Sequence, residues 1–222
     1  MRTPSEENYL KAIWKLVGQS AGPVSTNAIA FAVNTRAASV TDMLKKLSER
    51  KMIAYTPYRG VTLTTKGRRV ATEIVRKHRL WEVFLVEKLH FGWDEVHEIA
   101  EQLEHIHSEA LTERLDEFLR FPKADPHGDP IPDKAGKLPS APNYSLATMR
   151  TGKNAIMTGV ADHSTSFLQF LDKNNIRLGD TIRVKDKTEY DQSMTVVINA
   201  KKTIHLSHEV SRNMLVRPLK KS

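Results

Sequence analysis

His97, Glu101, Glu104 and His105 fall at i, i+4, i+7 and i+8, so on a helix they share one face; His78 and Glu82, four residues apart, do the same. A stripe of imidazoles and carboxylates makes a poor apolar seam, because a buried carboxylate must be paired or bound to a cation. Two such faces meeting supply ligands for one or two divalent ions. The chain has no cysteine, so every donor is nitrogen or oxygen. That set suits Mn²⁺ or Fe²⁺, with Zn²⁺, Co²⁺ and Cd²⁺ able to bind in vitro. Any one histidine alone is more often structural than a ligand, and His90 and His107 are read as ordinary residues; the six together point to metal.

The elements that must carry these side chains are two long helices, one from about Lys66 to Leu89 and one from near Asp94 to about Phe118. Thr64 or Thr65 caps the first, and Pro122 follows the second. Upstream, Thr3-Pro4-Ser5-Glu6 offers an N-cap, a proline at the first helical position and a glutamate three residues after the cap. Leu10, Ile13, Trp14 and Val17 then follow at helical spacing. Ser25 opens a short second helix. A turn at Val33-Asn34-Thr35 leads to a third, capped by Thr35 and running to about Arg50, with Val40, Met43, Leu44 and Leu47 as its buried stripe. Met52–Leu63 reads as two strands around Pro57-Tyr58-Arg59-Gly60.

Gly and Pro concentrate between Pro122 and Pro142, which marks an irregular boundary. Beyond Gly152 the pattern changes to short runs. Thr181–Val184, Met194–Ile198, Lys202–Leu206 and Met214–Arg217 read as strands, with a short helix at Phe167–Leu171. Several strands in so short a stretch fit a small barrel. The fold class is therefore mainly α with a small β portion.

Charge separates along the chain. Residues 1–80 hold 15 Lys and Arg against 5 Asp and Glu, residues 81–135 hold 5 against 14, and the rest 14 against 7. A basic segment beside an acidic, histidine-bearing one implies two tasks, holding a polyanion and holding a cation. No apolar run approaches the roughly 20 residues that span a bilayer, and MRTPSEENYL lacks a signal-peptide pattern. With no disulfide framework either, the expected location is the cytoplasm and no membrane partner is expected.

Helix, short turn, helix and then hairpin is the order of a winged helix-turn-helix. Arg36, Ser39, Thr41 and Asp42 fall on the exposed N-terminal half of the third helix, within reach of base edges. Lys45 and Lys46 suit phosphates, and Arg59 at the hairpin tip suits the backbone or minor groove. Double-stranded DNA is the expected partner.

Three segments give the chain a family likeness: VRKHRLWEVFL (Val75–Leu85), DEVHEIAEQLEHIHS (Asp94–Ser108) and DPHGDPIP (Asp125–Pro132). Nearly the whole chain resembles the diphtheria toxin repressor family of metal-dependent repressors, with its iron and manganese branches. The resemblance implies three parts: a winged helix-turn-helix over 1–73, a helical metal-binding and dimerisation domain over 74–140, and an SH3-like β-barrel over 150–222. It implies an ancillary site of His78, Glu82 and His97, and a primary site of Glu101, Glu104 and His105 with the side chain at position 8. That side chain is Asn8, where the branches show methionine or aspartate. Glu101 matches the manganese branch, since the iron branch has cysteine there. Lys11 stands where some manganese regulators offer glutamate, which argues against a close two-ion cluster. In the third part the best local match to the ancillary ligands of relatives is Asp162-His163, with Ser166, and His163 is the candidate metal ligand.

The functional expectation is a DNA-binding regulator, a repressor of manganese and iron homeostasis genes, activated by a divalent cation that orders a homodimer on a palindromic operator. Trp81, Phe84 and Leu85 are assigned to the dimer interface. The alternative is a metal-dependent hydrolase built on the same His/Glu cluster, although no nucleophile or lid accompanies it. The protein is expected not to be an enzyme.

Overall fold

The computed structural model describes residues 2–20, 22–56, 59–139 and 143–219. Contacts divide it into two compact units. One comprises Met1–Trp81, Ala100–Phe118 and Ile131–Leu138, and the other Glu82–Ile99, Leu119–Pro130 and Pro139–Ser222.

The first unit begins with α1 (Pro4–Gln19). Thr3 caps it: its side chain accepts from the Glu6 N–H while the Glu6 carboxylate accepts from the Thr3 N–H, the reciprocal box read from the sequence. Ser25 caps α2 (Thr26–Ala32) by accepting from the Ala28 N–H. Asn34 takes the left-handed conformation, φ 47°, which turns the chain into α3 (Ala37–Glu49). The cap of α3 is Arg36, with no side-chain hydrogen bond, and not the expected Thr35. Strands β1 (Ile53–Thr56) and β2 (Gly60–Leu63) pair antiparallel, and Val61 exchanges both backbone hydrogen bonds with Val24. Pro57 and Tyr58 of the expected tip lie outside the described residues. Leu10, Ile13, Ile29, Val40, Leu44, Leu47 and Val61 close the core, each no more than 1% exposed. Burying such side chains contributes roughly 1.5–3 kcal/mol apiece.

Thr64 Oγ1 accepts from the Gly67 N–H at the start of α4 (Thr65–Leu89), which enters the second unit at Glu82. The expected single helix from Asp94 to Phe118 is in fact two, α5 (Val96–Leu103) and α6 (Glu109–Phe118). Ser108 Oγ accepts from the Leu111 N–H and so restarts the helix. Glu104 and His105 therefore sit in the turn after α5 and not along a helix.

The second unit holds a six-stranded antiparallel sheet of β3 (Tyr144–Ser145), β4 (Asn154–Val160), β5 (Thr181–Lys187), β6 (Met194–Ile198), β7 (Lys202–Leu206) and β8 (Met214–Pro218). Its order is β3-β8-β4-β5-β6-β7, with register shifts in β4 and β5. The expected closure into a barrel is not found among the described residues; β3 and β7 stand at opposite edges. Helices α7 (Thr165–Lys173) and α8 (His208–Asn213) accompany it, α8 having gone unread in the sequence. Strand alternation buries Met157, Ile182, Val184, Met194, Val196, Leu206 and Val216, with Leu168 and Leu171 from α7, in one core.

Candidate metal centres and nucleic-acid surface

In the first unit, α1 and the end of α5 meet at a cluster of charged side chains. Glu7 and Glu104 are completely buried, which demands partners. Glu104 lies 2.6 Å from His78 Nδ1, 2.8 Å from Lys11 Nζ and 4.0 Å from His105 Nε2. Lys11 also reaches Glu101 at 3.0 Å. Glu7 holds His105 Nδ1 at 2.8 Å, receives the Arg2 guanidinium at 3.1 Å, and lies 3.8 Å from His107 Nδ1. His107, read as ordinary, thus borders the cluster. The neighbouring Asn8 Oδ1 is buried with no hydrogen-bond partner among the described residues. An orphaned amide oxygen, a buried carboxylate and an imidazole whose other nitrogen is fixed by a carboxylate form a donor set that fits a hard divalent cation.

The fold brings the residues assigned to the primary site, Asn8, Glu101, Glu104 and His105, into one unit, and Lys11 with them. Within that unit His78, expected at the ancillary site, stands against Glu104. Nearby, Lys77 is held below the usual lysine range by burial, against the pull of Glu7 and Glu104.

A second cluster lies wholly in the other unit. Glu82, Asp125 and His127 are 2%, 6% and 1% exposed and place one ligand atom each within 4.8 Å of one another. The Asp125 carboxylate accepts from the His127 and Asp129 N–H groups, which folds the DPHGDPIP segment into a loop. Gly128 in that loop has φ +88°, and a Cβ there would strike the Thr158 carbonyl on β4. His127 Nε2 is 2.8 Å from the Trp93 carbonyl; a carbonyl only accepts, so Nε2 carries the proton. His127 Nδ1 then faces Glu82 Oε2 at 3.7 Å and Asp125 Oδ1 at 4.0 Å without a hydrogen bond. A ring nitrogen between two carboxylates requires a cation, proton or metal. Burial alone pushes the His127 imidazole down, but Glu82 and Asp125 outweigh it and hold it above the usual histidine value.

His97 approaches the opposite oxygen, Glu82 Oε1, at 3.5 Å. His163, expected as a ligand, stacks instead on the His127 ring, centroids 4.7 Å apart, while Asp162 turns to the Ser164 N–H. The indole of Trp93 stacks more loosely on the His127 ring, centroids 6.0 Å apart, and donates to Asp172 on α7 at 2.9 Å. Sequence reading missed Asp125 and His127 as site residues. Their signal was present in DPHGDPIP, where an acid and a histidine two apart precede a glycine.

The DNA-facing expectation divides. Arg36 and Ser39 are exposed and border a surface hollow with Asn34 and Thr35. Thr41 Oγ1 donates to the Ala37 carbonyl, and Asp42 pairs with Lys45 across a turn at 3.7 Å. Lys46 is engaged elsewhere: with Arg50, each at 3.0 Å, it clamps the buried Glu6 carboxylate. Arg59 is exposed at the end of the hairpin turn, its N–H donating to the Thr56 carbonyl. Phe31, 91% exposed on α2 beside Arg36, was not anticipated.

The dimer-interface assignment needs correction at Leu85, which is 3% exposed and serves this chain's own core. Trp81 and Phe84 are partly buried. Large apolar side chains stand out at Leu89, Phe91, Phe118 and Phe121. Among the described residues, no helix is long and apolar enough to cross a membrane.

The chain matches three family models: the iron dependent repressor N-terminal DNA binding domain over residues 1–61, the iron dependent repressor metal binding and dimerisation domain over 64–133, and the FeoA domain over 144–218. The iron-dependent repressor IdeR of Mycobacterium leprae is 29% identical over 224 residues, covering 95% of each chain. A solved manganese-dependent transcriptional repressor in complex with manganese is 35% identical with TM-score 0.88, covering 96% of this chain and 100% of the other. ScaR with bound Zn²⁺ is 31% identical with TM-score 0.77, covering 96% and 99%. These matches set aside the hydrolase alternative, since the family consists of DNA-binding repressors and not enzymes. With both iron dependent repressor domains matched in order, and the FeoA domain behind them, the chain belongs to the diphtheria toxin repressor family of metal-dependent transcriptional repressors.

Proposed function

We propose that this protein is a divalent-cation-activated repressor that binds a palindromic DNA operator as a homodimer in the cytoplasm and governs genes of manganese and iron homeostasis. The observation that carries the reading is the meeting of α1, the first helix of the winged domain, with the turn after α5 at a buried carboxylate cluster. A divalent ion held by donors on both α1 and that turn fixes the winged domain.

Asn8, Glu101, Glu104 and His105 hold the regulatory cation, with His78 at its border. Glu82, Asp125, His127 and His97 hold a second one. Their nitrogen and oxygen donors suit Mn²⁺ or Fe²⁺ and also accept Zn²⁺, Co²⁺ or Cd²⁺. When bound, the ion supplies two positive charges to these carboxylates. Glu7 keeps the proton on His105 Nδ1 and so presents Nε2 toward Glu104. Arg36, Ser39, Thr41 and Asp42 read bases, while Lys45 and Arg59 contact phosphates. The winged domain takes residues 1–73, the helical domain 74–140 and the SH3-like domain 150–222. In a dimer, two recognition helices about 34–36 Å apart match successive major grooves.

The test is fluorescence anisotropy with a labelled operator selected from random DNA, at fixed salt, after chelation and then with Mn²⁺, Fe²⁺ or Zn²⁺. Binding should appear with metal and be lost in Glu104→Ala, with circular dichroism unchanged. Equal binding with and without metal, or a normal response in Glu104→Ala, refutes the assignment.

A further inference from the structure

Lys11 lies three residues after Asn8, so both face the same side of α1. Its ammonium bridges Glu101 at 3.0 Å and the fully buried Glu104 at 2.8 Å, with its own side chain 18% exposed. This is the geometry of a cation held by two carboxylates, with the cation supplied by the chain itself. We propose that Lys11 is a built-in competitor for the regulatory cation: its ammonium neutralises Glu101 and Glu104 when metal is scarce, and a divalent ion must displace it, so Lys11 sets the metal concentration at which the protein responds. The inference rests on the regulatory site proposed above.

Charge balance gives the argument. Glu101 and Glu104 together carry two negative charges, and Lys11 cancels one. A divalent ion cancels both, so the ammonium then becomes surplus positive charge beside that ion, and like charges a few ångströms apart repel. Leaving is feasible for Lys11 because its flexible four-carbon stem and strongly hydrated head can turn to solvent. Glu104 has no such exit, being completely buried. The metal-free protein therefore keeps α1 tied to the turn after α5 through an ion pair, and metal binding exchanges one cation for another.

The experiment uses the full-length, chelator-treated protein and Mn²⁺ alone, followed by electron paramagnetic resonance of the free aqua ion. The component of binding that Glu104→Ala removes is the one compared. Lys11→Met and Lys11→Gln should tighten that component by about tenfold or more, on the scale of one unit charge at a few ångströms, whereas Lys11→Arg, which keeps the charge, should leave it weak. The rise in melting temperature on adding saturating Mn²⁺ supplies a readout that a merely structural lysine would not move. The neutral variants should melt lower than the parent without metal yet gain more from saturating Mn²⁺. Unchanged or weakened Mn²⁺ affinity in both neutral variants overturns the competitor role while the site stands. If Glu104→Ala removes no Mn²⁺ binding from the parent, the site itself fails, and the competitor role with it.

Discussion

Replacing Glu6 with glutamine should loosen the recognition helix without disturbing the helix that carries the substitution. The Glu6 side chain is 1% exposed and performs two tasks at once. It accepts the Thr3 N–H at the start of α1, and it receives Lys46 and Arg50 from the last turns of α3, each at 3.0 Å. A glutamine in its place keeps the shape and an oxygen for the cap but gives up the charge. Both cations are nearly half exposed, 47% and 43%, so water screens them and each pair is worth about 0.5–1 kcal/mol. The loss should total about 1–2 kcal/mol, or roughly 2–8 °C in melting temperature for a chain of this size. Burial alone would raise the Glu6 carboxyl, but the Thr3 N–H with Lys46 and Arg50 outweighs it and holds the group below its ordinary 4.5. A lowered folded value means the contribution is fully present above 4.5 and fades as pH falls through the folded value. Melts of the parent and Glu6→Gln from neutral pH into acid should therefore show a gap that is constant at first and then closes. Equal melting at neutral pH, or a gap that persists in acid, refutes the account of Glu6 as the link between α1 and α3.

Two further substitutions test the remaining surfaces. Arg59→Ala should weaken DNA binding similarly across sequences and reduce the slope of log affinity against log salt by about 1, as one lost phosphate contact would; an unchanged slope in operator titrations removes Arg59 from the interface. His127→Gln should abolish one of two classes of Mn²⁺ sites in equilibrium dialysis while leaving the class that depends on Glu104 intact. Retention of both classes excludes His127 as a ligand.

Local chemistry made much of the fold legible. The Thr3–Glu6 box, Ser25, Asn34 and the Thr64 cap are all short-range devices, and each stands where the sequence puts it. The strands of the third part were readable for the same reason, since alternation of Met194, Val196 and Ile198 needs no knowledge of partners. What failed depended on context. The periodic stripe from His97 to His105 suggested one helix, but apolar and acidic periodicity cannot reveal that the chain unwinds at Glu104–Ser108 and restarts on Ser108. Barrel closure depends on strand order, which pattern alone does not carry. The sequence identified Lys11 as a departure from a glutamate, yet not that its ammonium spans two carboxylates some ninety residues away. Likewise Asp125 and His127 looked like loop chemistry until the fold brought Glu82 beside them.

Adjacent buried glutamates on α1 explain how the cluster and the recognition helix can be coupled. Helical neighbours point about 100° apart, so Glu6 and Glu7 cannot serve the same partner. Glu6 turns to Lys46 and Arg50 on α3, while Glu7 turns to His105 after α5. Lys11, one turn on from Glu7, continues the second face toward Glu101 and Glu104. The helix thus bears two sets of anchors, one for α3 and one for the turn after α5. Were the cation site to shift one face, a capped helix of 16 residues would carry the shift to the other without any change in its own fold. Linkage then requires reciprocity: if a cation at Glu104 favours the α1 position that seats α3 on DNA, DNA must strengthen cation binding by the same factor. In this arrangement Glu6 contributes nothing to cation chemistry and Glu104 nothing to DNA contact. Glu6→Gln and Glu104→Ala should nevertheless both weaken the metal-dependent part of DNA affinity in operator titrations, because each loosens one face of the same helix; a normal metal response in either refutes the coupling.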